Sequence, residues 1–464
     1  MSAPPRHPLI IGDGRPEGAA GWMPVASPHD GTVIAEVAAA TAEDVDRAVA
    51  AARAALPAWA ATPPLERGAA IAAFARAMDA AAPELAALMH AEMGKPEGEA
   101  RAEVDRAREV VHHFAGEAER MWVSHLPGPT LATGSHVRPD PIGVVAAITP
   151  WNFPVALVIW KLAPALAAGC CVICKPAQEA PLAARRVCEL AVESGLPPGV
   201  VGCVTGDGPP LGEALATHPG IDKVAFTGSR RVAEIIAGWA APRLKALSLE
   251  LGGHGPLVVL PDADLDVVAE VAAVQGYANA GQACYSVNRV IVPRELAGAV
   301  AERLRARLPG IALGPMATER GLERHRMLMD DARAAGATIE GGQELGGRRL
   351  APALLTDVGP GVRAVDEEPF TPIVSLIPVD DVDAAIAEAN RPDYGLVGYV
   401  CGRDLRGALE AAQAVQCGTV VINGWRVVVP HAPYAGWRGS GVGCELGRPG
   451  LEAFVRWQHI RVLA

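Results

Sequence analysis

The chain has 464 residues, half of them hydrophobic and a fifth charged, which is a soluble globular composition too long for one ordinary domain. A formal net charge of -11, with no basic block, argues against a nucleic-acid-binding protein. No charge-free apolar run approaches the roughly 18 residues that a membrane-spanning helix needs, and the opening "MSAPPRHPLIIGDG" lacks the apolar core of a signal peptide. The expectation is a cytoplasmic chain, in a compartment where its odd number of cysteines stays reduced.

Residues 1 to about 122 begin with loops and short strands. "TAEDVDRAVAAARAALPAWAA" then starts a helix that Thr41 caps, with Glu43 and Asp44 in its first turn. Two further helical runs are predicted around 65–92 and 96–122. "WVSHLPGPTLATGSHVRPDP" breaks the pattern with prolines and glycines and reads as an extended excursion between domains.

From Ile142 strands and helices alternate. "GVVAAITP", "CCVICKP", "VVGCVTG", "IDKVAFTGS" and "LKALSLELGG" read as strands. "PVALVIWKLAPALAAG", "APLAARRVCELAVESG" (ended by Gly195), "PPLGEALATHP" and "RRVAEIIAGWAA" read as the helices between them. This rhythm implies an α/β fold with a parallel sheet covered on both faces, and such sheets take ligands at the carboxyl ends of their strands. Cys170, Cys171 and Cys174 have no partner at zinc-like spacing, so they fill a buried strand and no metal is expected. After Gly253 a second α/β region runs to about 440, with helices at 264–280, 295–308 and 380–390 and a strand at 289–293. The tail "GLEAFVRWQHIRVLA" reads as a final strand.

Several strand ends carry chemistry. Gly228 and Ser229 in "FTGS" stand where a strand meets a helix, and free amides there suit a phosphate. Taken alone this is also an ordinary Gly-Ser turn, and the G-x-G-x-x-G fingerprint is absent. Lys175 in "KPAQ" either reaches a ribose or phosphate or is simply solvated. Asn152 in "TPWNFPV" either holds an oxyanion or caps the following helix. Glu250 in "SLELGG" ends an apolar strand, where burial would raise its pKa and make it a usable base. Cys284 in "NAGQACYSVNR" sits on a turn, where a thiol is accessible and a thiolate can attack.

In order along the chain, "TPWNFP", "KPAQ", "FTGS", "LELGG", "NAGQAC", "EEPFTP" and "PYAGWRGSGVGCELG" resemble the NAD(P)-dependent aldehyde dehydrogenase superfamily over essentially the whole length. The resemblance implies an aldehyde dehydrogenase-like α/β fold: a Rossmann-type cofactor domain at 1–122 and 144–252, an α/β catalytic domain at 253–440, and a small β oligomerisation element at 123–143 and 441–464. It implies a homodimer or homotetramer acting on a small-molecule aldehyde, with no nucleic-acid or membrane partner and no metal. Carried over, Cys284 is the nucleophile, Asn152 with the Cys284 amide forms the oxyanion hole, and Glu250 is the general base. Lys175 contacts the adenosine ribose, Gly228 and Ser229 lie at the pyrophosphate, and Trp151 is near the cofactor. Glu368 binds the nicotinamide ribose, Phe370 borders the nicotinamide, and Glu445 matches a proton-relay position. The reaction so implied converts an aldehyde, NAD(P)+ and water into an acid through a cysteine thiohemiacetal and thioester.

The departures from the pattern bear on cofactor and substrate. Gln178 stands where many members have Glu, so the expected cofactor is NAD with NADP tolerated. Ala233 and Thr371 replace common glycines. "AGWR" resembles lactaldehyde dehydrogenases, and Trp425, Arg426, His431 and Tyr434 are assigned to the substrate pocket. Arg426 suggests a polar or anionic aldehyde, or else faces solvent or a neighbouring subunit. Trp160, also in the pocket, instead resembles broad-specificity aliphatic and aromatic enzymes. A CoA-acylating relative is disfavoured by Glu250, and a non-catalytic relative by the presence of Cys284, Asn152 and Glu250 together.

Overall fold

The computed structural model describes residues 3–121, 123–128, 130 and 133–463. Trp122, at the end of the expected helical run, and Pro129, Leu131 and Ala132, in the expected excursion, lie outside the described residues, as does Ala464 of the tail.

The first helix, Ala42–Ala61, has Thr41 as its N-cap, and Asp44 accepts from the Thr41 amide at 2.9 Å. The expected run over 65–92 is two helices, Pro64–Ala80 and Ala82–Met93, and the latter ends on Gly94 in a left-handed conformation. Helix Glu97–Glu119 follows.

The alternating region forms a six-stranded sheet in the order Gly441–Val442, Ala246–Glu250, Lys223–Thr227, Val144–Ile148, Cys171–Lys175, Val201–Cys203. Its five central and distal strands are parallel and almost wholly buried, as their apolar runs require. The strand order reverses between Val144–Ile148 and Lys223–Thr227, so a crevice opens beyond their carboxyl ends. Gly441–Val442, grouped by the sequence reading with the C-terminal element, pairs antiparallel with Leu249 and Glu250 on this sheet. Cys170, Cys171 and Cys174 are buried in and beside Cys171–Lys175.

The second region holds a seven-stranded sheet, of which the sequence reading found one strand. Its order is Thr338–Gly341, Ala353–Thr356, Ile373–Val379, Val287–Pro293, Gly255–Val259, Val397–Cys401, Thr419–Ile422. Val287–Pro293 is central and buried at every position. The excursion supplies Ser124–Pro127 and Gly134–Pro141, which join Val455–Val462 in an antiparallel three-stranded sheet. The tail strand is therefore shorter than expected: Gly450–Glu452 belongs to the helix Gly447–Glu452, and only from Val455 does the chain extend.

Candidate active site

The helix Leu265–Tyr277 runs out into Asn279, Ala280 and Gly281, all left-handed at φ 51, 55 and 71. Asn and Gly tolerate this backbone, whereas Ala280 is strained. A Cβ on Gly281 would lie 2.2 Å from the Thr371 carbonyl oxygen, so the turn is pressed against the "EEPFTP" segment. Buried and half-buried polar groups hold it there. The Gln282 amide side chain donates to the Asn279 carbonyl at 2.9 Å and accepts from the Ala317 amide at 3.0 Å, and Glu99 accepts from the Asn279 amide at 2.6 Å. The chain must reverse here to enter Val287–Pro293, and the reversal leaves Cys284 half-buried while seven of the nine cysteines are fully buried.

The Cys284 sulfur lies 3.7 Å from the Tyr434 hydroxyl. Tyr434 packs edge-on against Trp160 at 5.0 Å between centroids, and Phe153 and Tyr285 pack at 5.5 Å. Burial among these rings pushes the Cys284 thiol up to about 12; the charges of Glu368 and Glu250 add to this, and the Tyr434 hydroxyl opposes it. The resting thiol is neutral.

Asn152 follows the strand Val144–Ile148 at the sheet's reversal point. Its amide donates to the Gln282 carbonyl at 3.0 Å, two residues before Cys284. An amide carries two N–H groups, so one remains for an oxyanion at the sulfur's substrate. The Asn152 carbonyl accepts from Lys95 at 2.8 Å and from Asn279 at 3.0 Å. The capping alternative fails: Glu103, paired with Lys95, accepts from the amides of Val155 and Ala156 at the start of helix Ala156–Ala168.

Glu250 ends its strand at 3 % exposure, and its carboxylate has no side-chain hydrogen-bond partner among the described residues. Burial, reinforced by the like charge of Glu445 and opposed by Lys161 and the Gly436 amide, holds its carboxyl well above the ordinary range. Glu445 is paired with Lys161 at 2.6 Å, and Lys161 also donates to Thr227 at 2.5 Å. Glu445 and Tyr434 are locked to each other by two backbone hydrogen bonds, 2.7 and 2.8 Å, so the thiol's partner and the carboxylate's neighbour move as one unit.

At the crevice, Lys175 is buried at its strand's carboxyl end and donates to the Pro176 carbonyl at 3.2 Å. Ser229 begins helix Arg230–Ala240 with no side-chain cap, leaving the first amides of that helix available to an anion. Gln178 is exposed nearby in sequence. Glu368 accepts from the Gly253 amide at 2.9 Å, and a Cβ on Gly252 would meet its carboxylate at 2.3 Å. Burial pushes Glu368 up to about 7. Phe370 is left-handed at φ 54 and stacks edge-on with Trp151 at 5.8 Å. A buried ammonium, uncapped helix amides and a buried carboxylate are the donor and acceptor set that a dinucleotide's phosphates and ribose hydroxyls require, so these residues fit such a group.

A cavity of ≈ 620 Å³ adjoins the thiol turn and is lined by Phe153, Tyr285, Trp425 and Arg426, among others. Trp425 is held by Glu270 at 3.3 Å and by Gln275, and Arg426 is exposed beside the Trp425 ring. His431 is exposed, and the linings of this cavity and of its smaller neighbour at 419–446 do not include it. Arg106, from helix Glu97–Glu119, also lines the cavity; the sequence reading missed it because nothing in "RAEVDRAREVV" marks one arginine among several as facing inward.

A parallel sheet with an anion-ready reversal point, joined to a turn-borne thiol with an amide and a buried carboxylate, defines a nucleotide-linked covalent oxidoreductase. The sequence profile of the aldehyde dehydrogenase family matches residues 16–460, and the chain belongs to that family of NAD(P)-dependent enzymes. It is 35% identical over 449 residues to a 3-sulfolactaldehyde dehydrogenase of Pseudomonas putida, covering 94% of this chain and 92% of the relative. It is 34% identical over 449 residues to an NADP(+) succinate-semialdehyde dehydrogenase of Escherichia coli, covering 94% and 93%. The crystal structure of an NAD-dependent aldehyde dehydrogenase from Sinorhizobium meliloti superposes with a TM-score of 0.97 at 34% identity, covering 99% of this chain and 95% of that one.

Proposed function

We propose that Cys284, Asn152 and Glu250 carry an aldehyde-to-acid oxidation on a polar or anionic aldehyde. The observation that supports this most is the convergence, on one turn, of a half-buried thiol, the Asn152 amide and the aromatic slot of Tyr434 and Trp160. The Cys284 thiol releases its proton to solvent, the sulfur adds as the thiolate to the aldehyde carbon, and the resulting oxyanion is held by the free N–H of Asn152. When bound, NAD(P)+ supplies the hydride acceptor and a cationic ring. Lys175, Gly228, Ser229 and Glu368 would hold it, with Trp151 and Phe370 alongside. Loss of hydride from the thiohemiacetal carbon leaves a thioester on Cys284. Glu250, once ionised, takes a proton from water, the water attacks the thioester, and the carboxylic acid departs. Glu445 and Lys161 then offer Glu250 a buried route for that proton.

Gln178 carries no charge to repel a 2′-phosphate, so NAD with tolerance for NADP is the proposed cofactor use. Trp160 and Tyr434 favour an apolar segment next to the reacting carbon, and Arg426 favours an anionic far end; the neutral-aldehyde reading rests on the former alone. The two large sheets support a cofactor domain at 1–122 and 144–252 and a catalytic domain at 253–440. The exposed Trp457, Ile460 and Val462 of the three-stranded sheet support its role in a homodimer or homotetramer. Among the described residues no helix is long and apolar enough to cross a membrane. Reduced-cofactor formation, with NAD+ and NADP+ in parallel across neutral and anionic aldehydes, tests the reading; a folded protein that turns over none of them would contradict it.

A further inference from the structure

The sheet face that carries Glu250 carries a second line of polar side chains. Lys223, Ala225 and Thr227 alternate onto one face of strand Lys223–Thr227, and in register beside them Ser248 and Glu250 alternate onto the same face of Ala246–Glu250. Thr227 accepts from Lys161 there, and the Lys223 ammonium donates to the Ser248 hydroxyl at 2.7 Å. Lys223 is 2 % exposed and lies 5.1 Å from the centre of the Phe454 ring. It feels the charges of Glu445 and Lys161, but its one side-chain hydrogen bond among the described residues is to Ser248.

The titratable groups packed on this face are few. Helix Ala156–Ala168 contributes Lys161, which is paired with Glu445 at 2.6 Å. Cys170, after that helix, and Cys444, beside Glu445, are both pushed up to about 11 by burial and stay neutral. Cys284 and Tyr434, which face Glu250, are held above their ordinary values by burial and are neutral too. Arg448 and Glu452 of helix Gly447–Glu452 pair with each other at 2.8 Å, Asp222 pairs with Arg53 at 2.6 Å, and strand Val144–Ile148 has no titratable side chain. Since Lys161 and Glu445 offset each other, one cation and one carboxylate remain, Lys223 and Glu250. Burying an ammonium on one hydroxyl and a ring is costly, so stability is a poor reason for its presence. Ser248 and Glu250 are about 7 Å apart along the strand, at roughly 3.3 Å per residue, which puts the ammonium on the order of 8 Å from the carboxyl. At an effective dielectric of about 20, a unit charge at that distance moves a carboxyl's titration by on the order of one pH unit.

We propose that Lys223 is a positioning residue for thioester hydrolysis that acts through Glu250, its fixed ammonium favouring the ionised base in an otherwise apolar part of the sheet. This rests on the aldehyde-oxidation reading above and deepens it, from which residue is the base to what keeps that base ionised. Burial pushes Lys223 down to about 8, so its charge is complete below that pH and fades above it. The help it gives Glu250 is therefore present at neutral pH and lost towards alkaline pH, where Glu250 ionises without it.

The test uses the full chain with NAD+ and either butanal or succinate semialdehyde, the wild type beside Lys223→Gln, Lys223→Met and each of these combined with Glu250→Gln. Quenched-flow mass spectrometry follows the decay of the acyl group on Cys284 from about pH 6 to about pH 10, and stopped flow follows the first turnover of cofactor. In Lys223→Gln the hydrolysis limb should move towards alkaline pH by on the order of one unit, which is about tenfold slower hydrolysis near neutrality. The rate should converge on wild type at the alkaline end, with the first turnover changed by less than about threefold. Lys223→Met, an apolar side chain over the Phe454 ring, should move the limb by a similar amount, so either variant that folds decides the matter. Neither change should have a further effect in Glu250→Gln. A limb that stays in place, a loss of the same size at every pH, or an effect that persists in Glu250→Gln would overturn the role of Lys223 while leaving aldehyde oxidation intact. No reduced cofactor from folded wild type with either aldehyde would overturn the activity reading and this proposal with it.

Discussion

The ammonium of Lys95 donates to the backbone carbonyl of Asn152 at 2.8 Å and lies 3.8 Å from the centre of the Phe153 ring. Lys95 is 1 % exposed, and its charge is balanced by Glu103, which at the same time caps the helix behind Asn152. A buried ion pair is a weak source of net stability, but breaking one side of it costs about 3–5 kcal/mol. Its value here is geometric: the loop that aims the Asn152 amide is fixed from beneath.

Replacement of Lys95 by Met should therefore lower kcat on the order of 100-fold, as a small displacement of an aligned group does, with a smaller effect on KM. Lys95→Met should also melt earlier than wild type. Steady-state kinetics beside a thermal melt separates the two effects, since a merely structural role would lower the active fraction without moving kcat per folded site.

Asn152→Ala removes the donor itself. The expected loss in kcat is about 100- to 1,000-fold, the usual cost of one oxyanion donor. Stopped-flow measurement of the first turnover places that loss in the step that precedes thioester hydrolysis.

Glu250 gives a pH signature. Its carboxyl is held well above the ordinary range, so it is protonated and inactive as a base at low pH and gains competence as pH rises through its folded value. Thioester hydrolysis should accelerate towards alkaline pH in the wild type. Glu250→Gln should flatten that limb and give a burst of reduced cofactor followed by slow turnover. A wild-type steady-state rate in Glu250→Gln would contradict the assignment.

Gly281→Ala introduces a Cβ that would sit 2.2 Å from a backbone oxygen, at a φ of 71 that alanine adopts only with strain. Backbone cannot retreat as a flexible side chain does, so the turn must shift. The expected outcome is a destabilisation of about 1–3 kcal/mol, read as a lower melting temperature, with a fall in activity larger than the folded fraction explains.

Much of the site was legible because it is written at strand ends. Asn152, Lys175, Ser229 and Glu250 each follow a short apolar run that alternates with a helix, and a parallel sheet gathers such positions at one edge. What remained hidden depends on long-range contact. Tyr434 reaches Cys284 across 150 residues, and Glu445 reaches Lys161 across 284. No local pattern encodes either pairing. Lys95 and Glu103 lie close in sequence, yet they look like any solvated helix-end charges until packing buries them. The strands of the second sheet were missed because several are four- or five-residue runs that periodicity alone does not separate from buried helix or loop. Proximity in sequence to Trp425 and Arg426 does not by itself bring His431 into the lining of their cavity.

The central claim is that oxidation passes through a covalent bond to Cys284. The most direct measurement mixes Glu250→Gln with NAD+ and an aldehyde, quenches after the first turnover, and maps the modified peptide by mass spectrometry. The account predicts one acyl group per subunit on the peptide bearing Cys284, matched by one equivalent of reduced cofactor. Reduced cofactor formed without an acyl group on Cys284, or with the adduct on another cysteine such as the half-buried Cys444, would contradict it.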